Sequence, residues 1–494
     1  MSQLKDSAIL VLSNLANKFF RFSRQLILAF FLGVSGEVDL LLVAQILPTI
    51  FLSIVGGAGG ETLVTLIKND KVDLRVAGLF MAFLQLVSLL FLATFFGLFH
   101  FLTDIFALEP GQSRQYAELS WILLFNVFPG VIVSVATPLL YLNKNYKYYA
   151  ITTIVSEVVG LGAIFLLVPL KGILAFPLGT LVTSLLNMFL FLGRLQLDFK
   201  IFLRPGEWRE LGGQLKSIFT RMGIVSGQTL VNYLGTFWDR SFGVRFLHEG
   251  YLSALNYATT LFELPNLVYN KSIGTTTYIN QLKYSQDSKS KFEDYSRKIF
   301  KLTAVTAMVG QLLFVVLAPA FIIILYRRGK FDNDSVAGTL VILEILAMGL
   351  APTVLLLFGS RMLYALQSFK QVFGAVFFRI LIKISLITTL ISVVPNILPI
   401  STTLTAYFAF IYVFVVVARI TGIRFLSPGF LLAFAALLLL NLLAVFLNSH
   451  YFEYYLDAPI ALIVIFAALV ALLGGLGLWI FASKSGFLAI LKKN

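Results

Sequence analysis

Cysteine is absent from this chain of 494 residues, and histidine occurs only three times. Without cysteine the chain forms no disulfide, no thiolate metal site and no cysteine nucleophile. The three histidines (His100, His248 and His450) are far apart, and no HExxH, Walker A or GxGxxG motif is present. The sequence therefore predicts that the protein is not an enzyme, needs no cofactor or metal, and carries no ATPase segment of its own.

Charged residues are also scarce, at 13% of the chain, whereas hydrophobic residues reach 59%. Soluble globular domains are about 45–50% apolar. Apolar stretches of about 20 residues recur along the whole sequence, and this length is typical of transmembrane helices. The expected fold class is an all-α membrane protein with many spans.

We predict fourteen spans, and the loops between them alternate between basic and poorly basic. One set of loops, together with both tails, holds about 23 Lys and Arg, against about six in the other set. Because basic residues collect in cytoplasmic loops, both termini are expected in the cytoplasm. This asymmetry accounts for the net charge of +14, and no nucleic-acid partner is expected.

An internal repeat is visible between ILLFNVFPGVIVSVATPLLYLNKNYK (122–147) and ILAMGLAPTVLLLFGSRMLYALQSFK (345–370), which align without gaps. The two segments belong to predicted spans four and ten. We therefore expect two pseudo-symmetric lobes of six helices, related as in parallel-repeat transporters, and a C-terminal helix pair. The predicted boundaries are 1–195 for the first lobe, 196–216 for a cytoplasmic linker or interfacial helix, 217–420 for the second lobe, and 421–494 for the last two spans and the tail.

A stripe of positive charge lies on the first span, in NKFFRFSRQLILAFF (17–31). Lys18, Arg21 and Arg24 are three residues apart, so a helix places them on roughly one face. A cation at the centre of a bilayer costs roughly 2.5–3.5 kcal/mol, so such residues usually face a water-filled cavity or a partner. The alternative is that these side chains reach to the membrane surface, and it fits Arg24 poorly because Arg24 lies well inside the span.

Other candidate residues of the cavity and of its moving parts come from the remaining spans. Repeated lobes favour alternating access, in which two halves rock around a site. Prolines and small residues would provide hinges, although close helix packing explains the glycines equally well. The predicted cavity residues are Lys18, Arg21, Arg24, Asp39, Arg240 and Arg379, and the predicted hinge residues are Pro48, Gly56, Gly57 and Pro265.

The stretch FFRFSRQLILAFFLGVSGEVDLLLVAQILPTIF (19–51) combines an arginine-rich first span, a short G-x-S loop, an aspartate and then a proline. In this order of features it resembles the opening of the MurJ (MviN) lipid II flippases. DRSFGVRFLHEGYLSALNYA (239–258) resembles their turn between spans seven and eight. The stretch from 325 to 370 resembles their spans nine to ten, with a similar RGxF-D turn. The resemblance runs over nearly the whole chain and includes the number of spans.

This resemblance implies a member of the superfamily of MATE and Wzx-type transporters. It implies a flippase that moves an undecaprenyl-pyrophosphate-linked glycan, similar to lipid II, from the inner to the outer leaflet of the bacterial cytoplasmic membrane. The implied partners are this lipid-linked oligosaccharide and membrane lipids, and the protein is expected to be a monomer. In the family, spans 13 and 14 are associated with a groove for the lipid tail.

The sequence departs from the family pattern at charged positions. The family's arginines of spans two and eight fall near Leu52 and at Thr260, which leaves Arg379, Lys383 and Arg240 as candidates to replace them. In some relatives a span-seven aspartate and a span-eleven asparagine bind sodium. Those positions match Asp239 and Lys383 here, so we predict an ion pair between them and transport that does not need sodium.

Three alternatives to a lipid II flippase remain open on the sequence alone. One is a Wzx-like exporter of O-antigen or capsule repeat units, which would share the fold and the mechanism. Another is a MATE-like cation antiporter, which would want acidic rather than basic residues in its cavity. The last is a scaffold that retains the fold without transport, since two family arginines are missing.

Overall fold

The structure is a computed structural model that describes residues 2–68, 76–195, 205–270 and 275–484. Within these ranges the chain is almost entirely helical, and no described residue lies in a β-strand. The predicted all-α class is therefore confirmed. Contacts divide the chain into two compact units, Met1–Leu252 and Ser253–Asn494.

The described residues of the first unit form ten α-helices, a short π-helix (Leu52–Gly57) between two of them, and a 3-10 helix (Gly172–Leu174). The α-helices are α1 (Ser2–Leu32), α2 (Gly36–Ala44), α3 (Ile46–Phe51), α4 (Ala58–Lys68), α5 (Val76–Ile105), α6 (Pro110–Phe125), α7 (Val127–Leu142), α8 (Tyr146–Lys171), α9 (Ala175–Leu195) and α10 (Pro205–Phe246).

The described residues of the second unit form ten more α-helices, the first of which begins at the boundary between the units. They are α11 (Tyr251–Tyr269), α12 (Thr275–Asp287), α13 (Lys289–Tyr326), α14 (Asn333–Ala347), α15 (Leu350–Ala365), α16 (Phe369–Leu390), α17 (Ile397–Thr421), α18 (Pro428–His450), α19 (Phe452–Asp457) and α20 (Ile460–Lys484).

Many of these helices have the length and apolarity of membrane spans. Nine described helical segments qualify, and the bent pair α14–α15 makes a tenth if it is counted as one span. Taken across their short breaks, the helices are consistent with the fourteen predicted spans. The protein is thus a multi-pass membrane protein.

Prolines decide where several of these spans break. A proline inside a helix clashes with the carbonyl four residues earlier and donates no hydrogen bond. Helix α2 ends at Ala44, four residues before Pro48, and α6 ends at Phe125, four residues before Pro129. In the second unit α14 ends at Ala347, five residues before Pro352, and α15 continues at an angle of 40° to it.

The internal repeat extends from the sequence to the backbone. Pro129 and Pro352 follow equivalent helix breaks, and α7 and α15 end at equivalent residues. The turns that follow place Lys144 and Gln367 at the same left-handed φ of 56°. The N–H groups of Lys144 and Gln367 donate to the carbonyls of Tyr141 and Tyr364, both at 3.0 Å. One sequence pattern therefore forms the same helix, cap and turn in each unit.

The predicted lobe boundaries remain predictions. The prediction starts the second lobe at residue 217, whereas contacts within the structure start the second unit at Ser253. By contacts, the boundary between the units lies at Leu252, so α10 belongs to the first unit. The linker predicted over 196–216 lies partly outside the described residues. From Pro205 onward it is the first part of α10, a helix of 42 residues that continues into the seventh predicted span.

Candidate functional site

A polar cavity of about 800 Å³ lies within the first unit. Residues of α1, α2, α3, α6, α7, α8, α9 and the π-helix line it. Besides apolar groups, the lining contains amides, hydroxyls and three charged side chains. The amide side chains are Asn17, Gln25, Gln45, Asn126 and Asn187, and the charged side chains are Arg21, Arg24 and Glu157. Among the described residues of the lining, positive charge therefore exceeds negative charge by one arginine.

Arg24 is held in this cavity by partners on two other helices. Its Nη2 donates to Oε2 of Glu157 on α8 at 2.9 Å, and its Nη1 donates to Oγ1 of Thr180 on α9 at 3.1 Å. The side chains of Arg24 and Glu157 are only 21% and 12% exposed. The Nε of Arg24 is buried and has no hydrogen-bond partner among the described residues, so the guanidinium is not fully satisfied by the protein.

Two glycines bring α8 and α9 close enough to position these partners. A Cβ at Gly160 would lie 1.8 Å from Thr183 Oγ1, and a Cβ at Gly179 would lie 2.3 Å from Ile164 Cγ1. Gly160 is three residues after Glu157, and Gly179 directly precedes Thr180. Small residues allow such close approach of helices in membranes. The glycine contact thus sets the distance between the two acceptors that hold Arg24.

The three basic residues of the predicted stripe on α1 have different surroundings in the structure. Arg21 and Arg24 both line the cavity. Lys18 is exposed, and it is not among the described residues of the lining. The face of α1 that meets the cavity therefore includes the two arginines and leaves the lysine at its margin.

Asp39 and Arg240 lie outside the described lining of the cavity and bond to backbone groups. Asp39 is buried, and its Oδ2 accepts a hydrogen bond of 2.7 Å from the N–H of Gly250. Gly250 has a φ of 87°, which an L side chain rarely adopts, so Asp39 holds a turn that requires glycine. A guanidinium N–H of Arg240 donates to the carbonyl of Leu42.

The predicted hinge residues have different surroundings. Pro48 and Gly57 line the cavity, and Pro48 follows the break between α2 and α3. The π-helix Leu52–Gly57 contains both Gly56 and Gly57, and such helices often occur at functional sites. A Cβ at Gly56 would lie 2.7 Å from Ser134 Cβ, so this glycine also serves close packing. Pro265 lies inside the continuous helix α11.

The remaining predicted residues belong to other parts of the chain. Asp239 is half-buried near the end of α10 in the first unit. Arg379 and Lys383 are half-buried on α16 in the second unit. Asp239 and Lys383 belong to different units, and their pairing remains a prediction.

Sequence reasoning missed the residues that hold and surround Arg24. Glu157 is one of six acids inside the predicted spans. Its position inside a span could have marked it as a candidate partner for an intramembrane arginine. Nothing in the sequence around Thr180 marks it as a partner of Arg24. Asn17, Asn126 and Asn187 line the cavity, and their buried Oδ1 atoms have no hydrogen-bond partner among the described residues. Such acceptors suit a ligand with hydroxyl groups.

No metal site emerges from the described part of the chain. In those residues no group of three or more His, Cys, Asp or Glu side chains comes together. The arginines, amides and hydroxyls of the cavity suit an anionic, hydroxyl-rich ligand instead.

Comparisons with known proteins agree with this architecture. A family model described as lipid II flippase MurJ matches residues 28–469. A probable lipid II flippase MurJ of Buchnera aphidicola subsp. Acyrthosiphon pisum (strain APS) is 22% identical over 384 residues, which is 75% of each chain. One of Bdellovibrio bacteriovorus is 30% identical over 130 residues, or 26% of this chain and 23% of that protein.

Solved structures agree on the fold. A lipid II flippase MurJ in an inward closed conformation matches with a TM-score of 0.73 and 18% identity, over 97% of this chain and 99% of that one. An inward-facing multidrug resistance MATE family transporter of the MOP superfamily matches with a TM-score of 0.65 and 14% identity, over 82% and 94%. These findings do not favour a Wzx-like exporter. The family model covers most of the chain, and the chain belongs to the MurJ lipid II flippase family.

Proposed function

We propose that this protein is a flippase for a pyrophosphate-linked lipid glycan similar to lipid II, and that it carries this lipid from the inner to the outer leaflet of the bacterial cytoplasmic membrane. The observation that carries the proposal is the presence of Arg21 and Arg24 in a polar cavity inside membrane-spanning helices. Charges at this depth are costly and usually serve a substrate or ion pathway.

The cavity suits both parts of such a head group. A guanidinium binds phosphate oxygens through two parallel N–H bonds, so Arg24 and Arg21 suit the pyrophosphate. The unpartnered Oδ1 atoms of Asn17, Asn126 and Asn187 would accept hydrogen bonds from sugar hydroxyls. The proposal needs binding and release only, without any bond being made or broken in the substrate, and therefore assigns no enzymatic step.

Depletion of the protein in cells tests this function. Leaflet-specific labelling should then show the lipid-linked precursor accumulating in the inner leaflet. Re-expression of the wild type should restore precursor in the outer leaflet, whereas re-expression of Arg24→Ala at equal level should not. Normal outer-leaflet labelling throughout depletion would refute the proposal.

The orientation is part of the proposal and follows from the basic loops. Single cysteines can be introduced cleanly because the chain has none. Cysteines that replace Lys144 and Lys370 should resist an impermeant maleimide in intact cells and react after the cells are opened. A cysteine that replaces Gln112, in the set of poorly basic loops, should react in intact cells. Labelling of position 144 or 370 in intact cells would reverse the assignment.

Sodium independence is the finer proposal for Asp239 and Lys383. An ammonium at position 383 would repel a sodium ion that bound beside it. Transport with sodium replaced by potassium should therefore continue at the same rate. A strict sodium requirement would refute this assignment and leave the flippase proposal intact.

A further inference from the structure

Glu157 is an anionic partner of Arg24 that the protein itself supplies. Its Oε2 lies 2.9 Å from Nη2 of Arg24. Carboxylates and phosphates offer a guanidinium similar pairs of acceptor oxygens. Arg24 therefore already binds an anion, and a phosphate that uses the same N–H group must take the place of the carboxylate.

We propose that Glu157 is an exchangeable counter-ion, which neutralises Arg24 between transport cycles and gives up the guanidinium when a pyrophosphate binds. This inference deepens the proposed function and rests on it. The exchange is non-covalent, so the carboxylate only turns away and returns. Its role is to lower the affinity of the cavity for pyrophosphate, so that the bound head group can leave again.

The contacts of Arg24 make such an exchange possible. Only Nη2 is engaged by a charged partner, because Nη1 donates to the neutral hydroxyl of Thr180. The Nε has no partner in the described part of the chain. A phosphate would therefore replace Glu157 on Nη2 and bond to Nε as the carboxylate moves away, while Thr180 continues to hold Nη1.

The displaced carboxylate would remain in a polar environment. Glu157 is 12% exposed and lines the cavity, so its charge keeps access to the space around it. Arg21 lines the same cavity one helical turn before Arg24, and it forms no ion pair with the described residues. It supplies a second cation for the pyrophosphate, and the return of Glu157 to Arg24 would favour release.

Binding of inorganic pyrophosphate to the purified full-length protein tests the exchange. Calorimetric titration of Glu157→Gln should give a dissociation constant about tenfold lower than that of the wild type, because the competing charge is gone. Glu118→Gln is the matched control, since Glu118 is exposed on α6 and pairs with Arg114 at 3.4 Å outside the cavity lining. Its dissociation constant should be that of the wild type.

A second control separates competition from the positioning of Arg24. Thr180→Val removes the neutral acceptor and leaves the competing charge, so pyrophosphate should bind no more tightly than to the wild type. If Glu157 only positions Arg24, Glu157→Gln should bind pyrophosphate more weakly, and this result would overturn the proposal. Unchanged binding to Glu157→Gln would overturn it as well.

Transport provides the readout that distinguishes this inference from the proposed function. With tighter binding and slower release, Glu157→Gln should transport the lipid-linked precursor several-fold more slowly. If the wild-type protein transports the precursor but Glu157→Gln does not bind pyrophosphate more tightly, the exchange alone is refuted. If the wild-type protein does not transport the precursor, the flippase proposal is refuted.

Glu157→Asp serves if Glu157→Gln does not fold. Its shorter side chain weakens the ion pair, so it should bind pyrophosphate about threefold more tightly than the wild type. Binding at the wild-type level would count against the exchange.

Discussion

Each unit holds a carboxylate inside its membrane-spanning helices, and the two have different surroundings. Glu157 in the first unit contacts an arginine and lines a cavity. Glu344 in the second unit is 4% exposed and accepts a hydrogen bond of 2.8 Å from Asn448 Nδ2. Among the described residues no lysine or arginine pairs with Glu344.

The two carboxylates differ in what surrounds them: Glu157 lies at a cavity, and Glu344 lies between packed helices. Asn448 also donates to the carbonyl of Val315 at 2.9 Å, so one amide joins α18 to both α13 and α14. A buried polar contact of this kind stabilises helix packing, since an unpaired group would cost free energy. Glu157 lines a cavity, whereas Glu344 is buried against an amide that joins three helices, so their positions suit a binding role and a structural role respectively.

The largest expected effect is the loss of transport in Arg24→Ala. This change removes a charged donor from the cavity and leaves Glu157 unpaired. A decrease of about 100-fold in transport corresponds to about 2.7 kcal/mol, the range of one or two charge-assisted hydrogen bonds. Leaflet labelling in cells measures it, with expression checked by immunoblot. Arg24→Lys should recover only part, because a single ammonium lacks the planar fork. Full transport by Arg24→Ala would contradict a binding role for Arg24 and Glu157 in the first unit.

The second unit should respond in stability rather than in binding. Asn448→Leu leaves the acceptors of Glu344 and Val315 without their donor, at a cost of about 1–3 kcal/mol. The thermal unfolding midpoint of the purified protein should fall by several degrees, while pyrophosphate binding is unchanged. Asn441→Leu is the control two turns earlier on α18. Asn441 is fully buried and its amide has no described partner, so this change should be neutral or stabilising.

A smaller effect is expected at the glycine contact behind Arg24. Gly160→Ala places a methyl group 1.8 Å from Thr183 Oγ1, so α8 and α9 must separate at a cost of about 1–3 kcal/mol. The unfolding midpoint should fall and pyrophosphate should bind more weakly, since Glu157 and Thr180 move apart. Gly162→Ala meets no atom within 4 Å and should change neither quantity for the worse. Equal effects of the two variants would contradict the positioning role of Gly160.

The smallest effect concerns Asp332, a carboxylate outside the spans. It caps α14, and hydrogen bonds from the backbone N–H and then the hydroxyl of Ser335 lower its pKa below the usual 3.8. Its stabilising contribution is therefore complete above pH 3.8 and is lost as the pH falls through the lower folded pKa. Asp332→Ala should cost about 1 kcal/mol at pH 7.

Unfolding midpoints measured between pH 7 and pH 3 check this expectation. The difference between the wild type and Asp332→Ala should narrow as the pH falls. Asp332→Asn keeps an N-cap acceptor, so it should remain close to the wild type at pH 7 and lack its pH dependence. A constant difference at all pH values would show that the charge of Asp332 contributes nothing.

Some features of the site were accessible from the sequence because they are periodic. The spacing of Arg21 and Arg24 places both on one helix face, and both line the cavity. The repeat around Pro129 and Pro352 predicted equivalent local structure, and α6 and α14 do end four and five residues before these prolines. Lys18 fits the same spacing and lies outside the described lining, because periodicity does not show where a cavity ends.

Other features could not be read from the sequence because their partners are remote in it. Asp39 was predicted for the cavity, but the structure shows it bonded to the N–H of Gly250, 211 residues away. The buried Oδ1 atoms without a described partner belong to Asn17 on α1, Asn126 between α6 and α7, and Asn187 on α9, and no local pattern marks any of these residues.

By itself, the sequence determined the all-α membrane fold, the repeat and the basic stripe, because apolar length, proline positions and charge spacing act within one helix. Only the tertiary structure decided which cation Glu157 meets. That pair joins residues 133 apart, and the bond from Arg24 to Thr180 joins residues 156 apart. Both depend on the approach of α8 to α9 at Gly160 and Gly179, where the absence of two Cβ atoms brings the acceptors together.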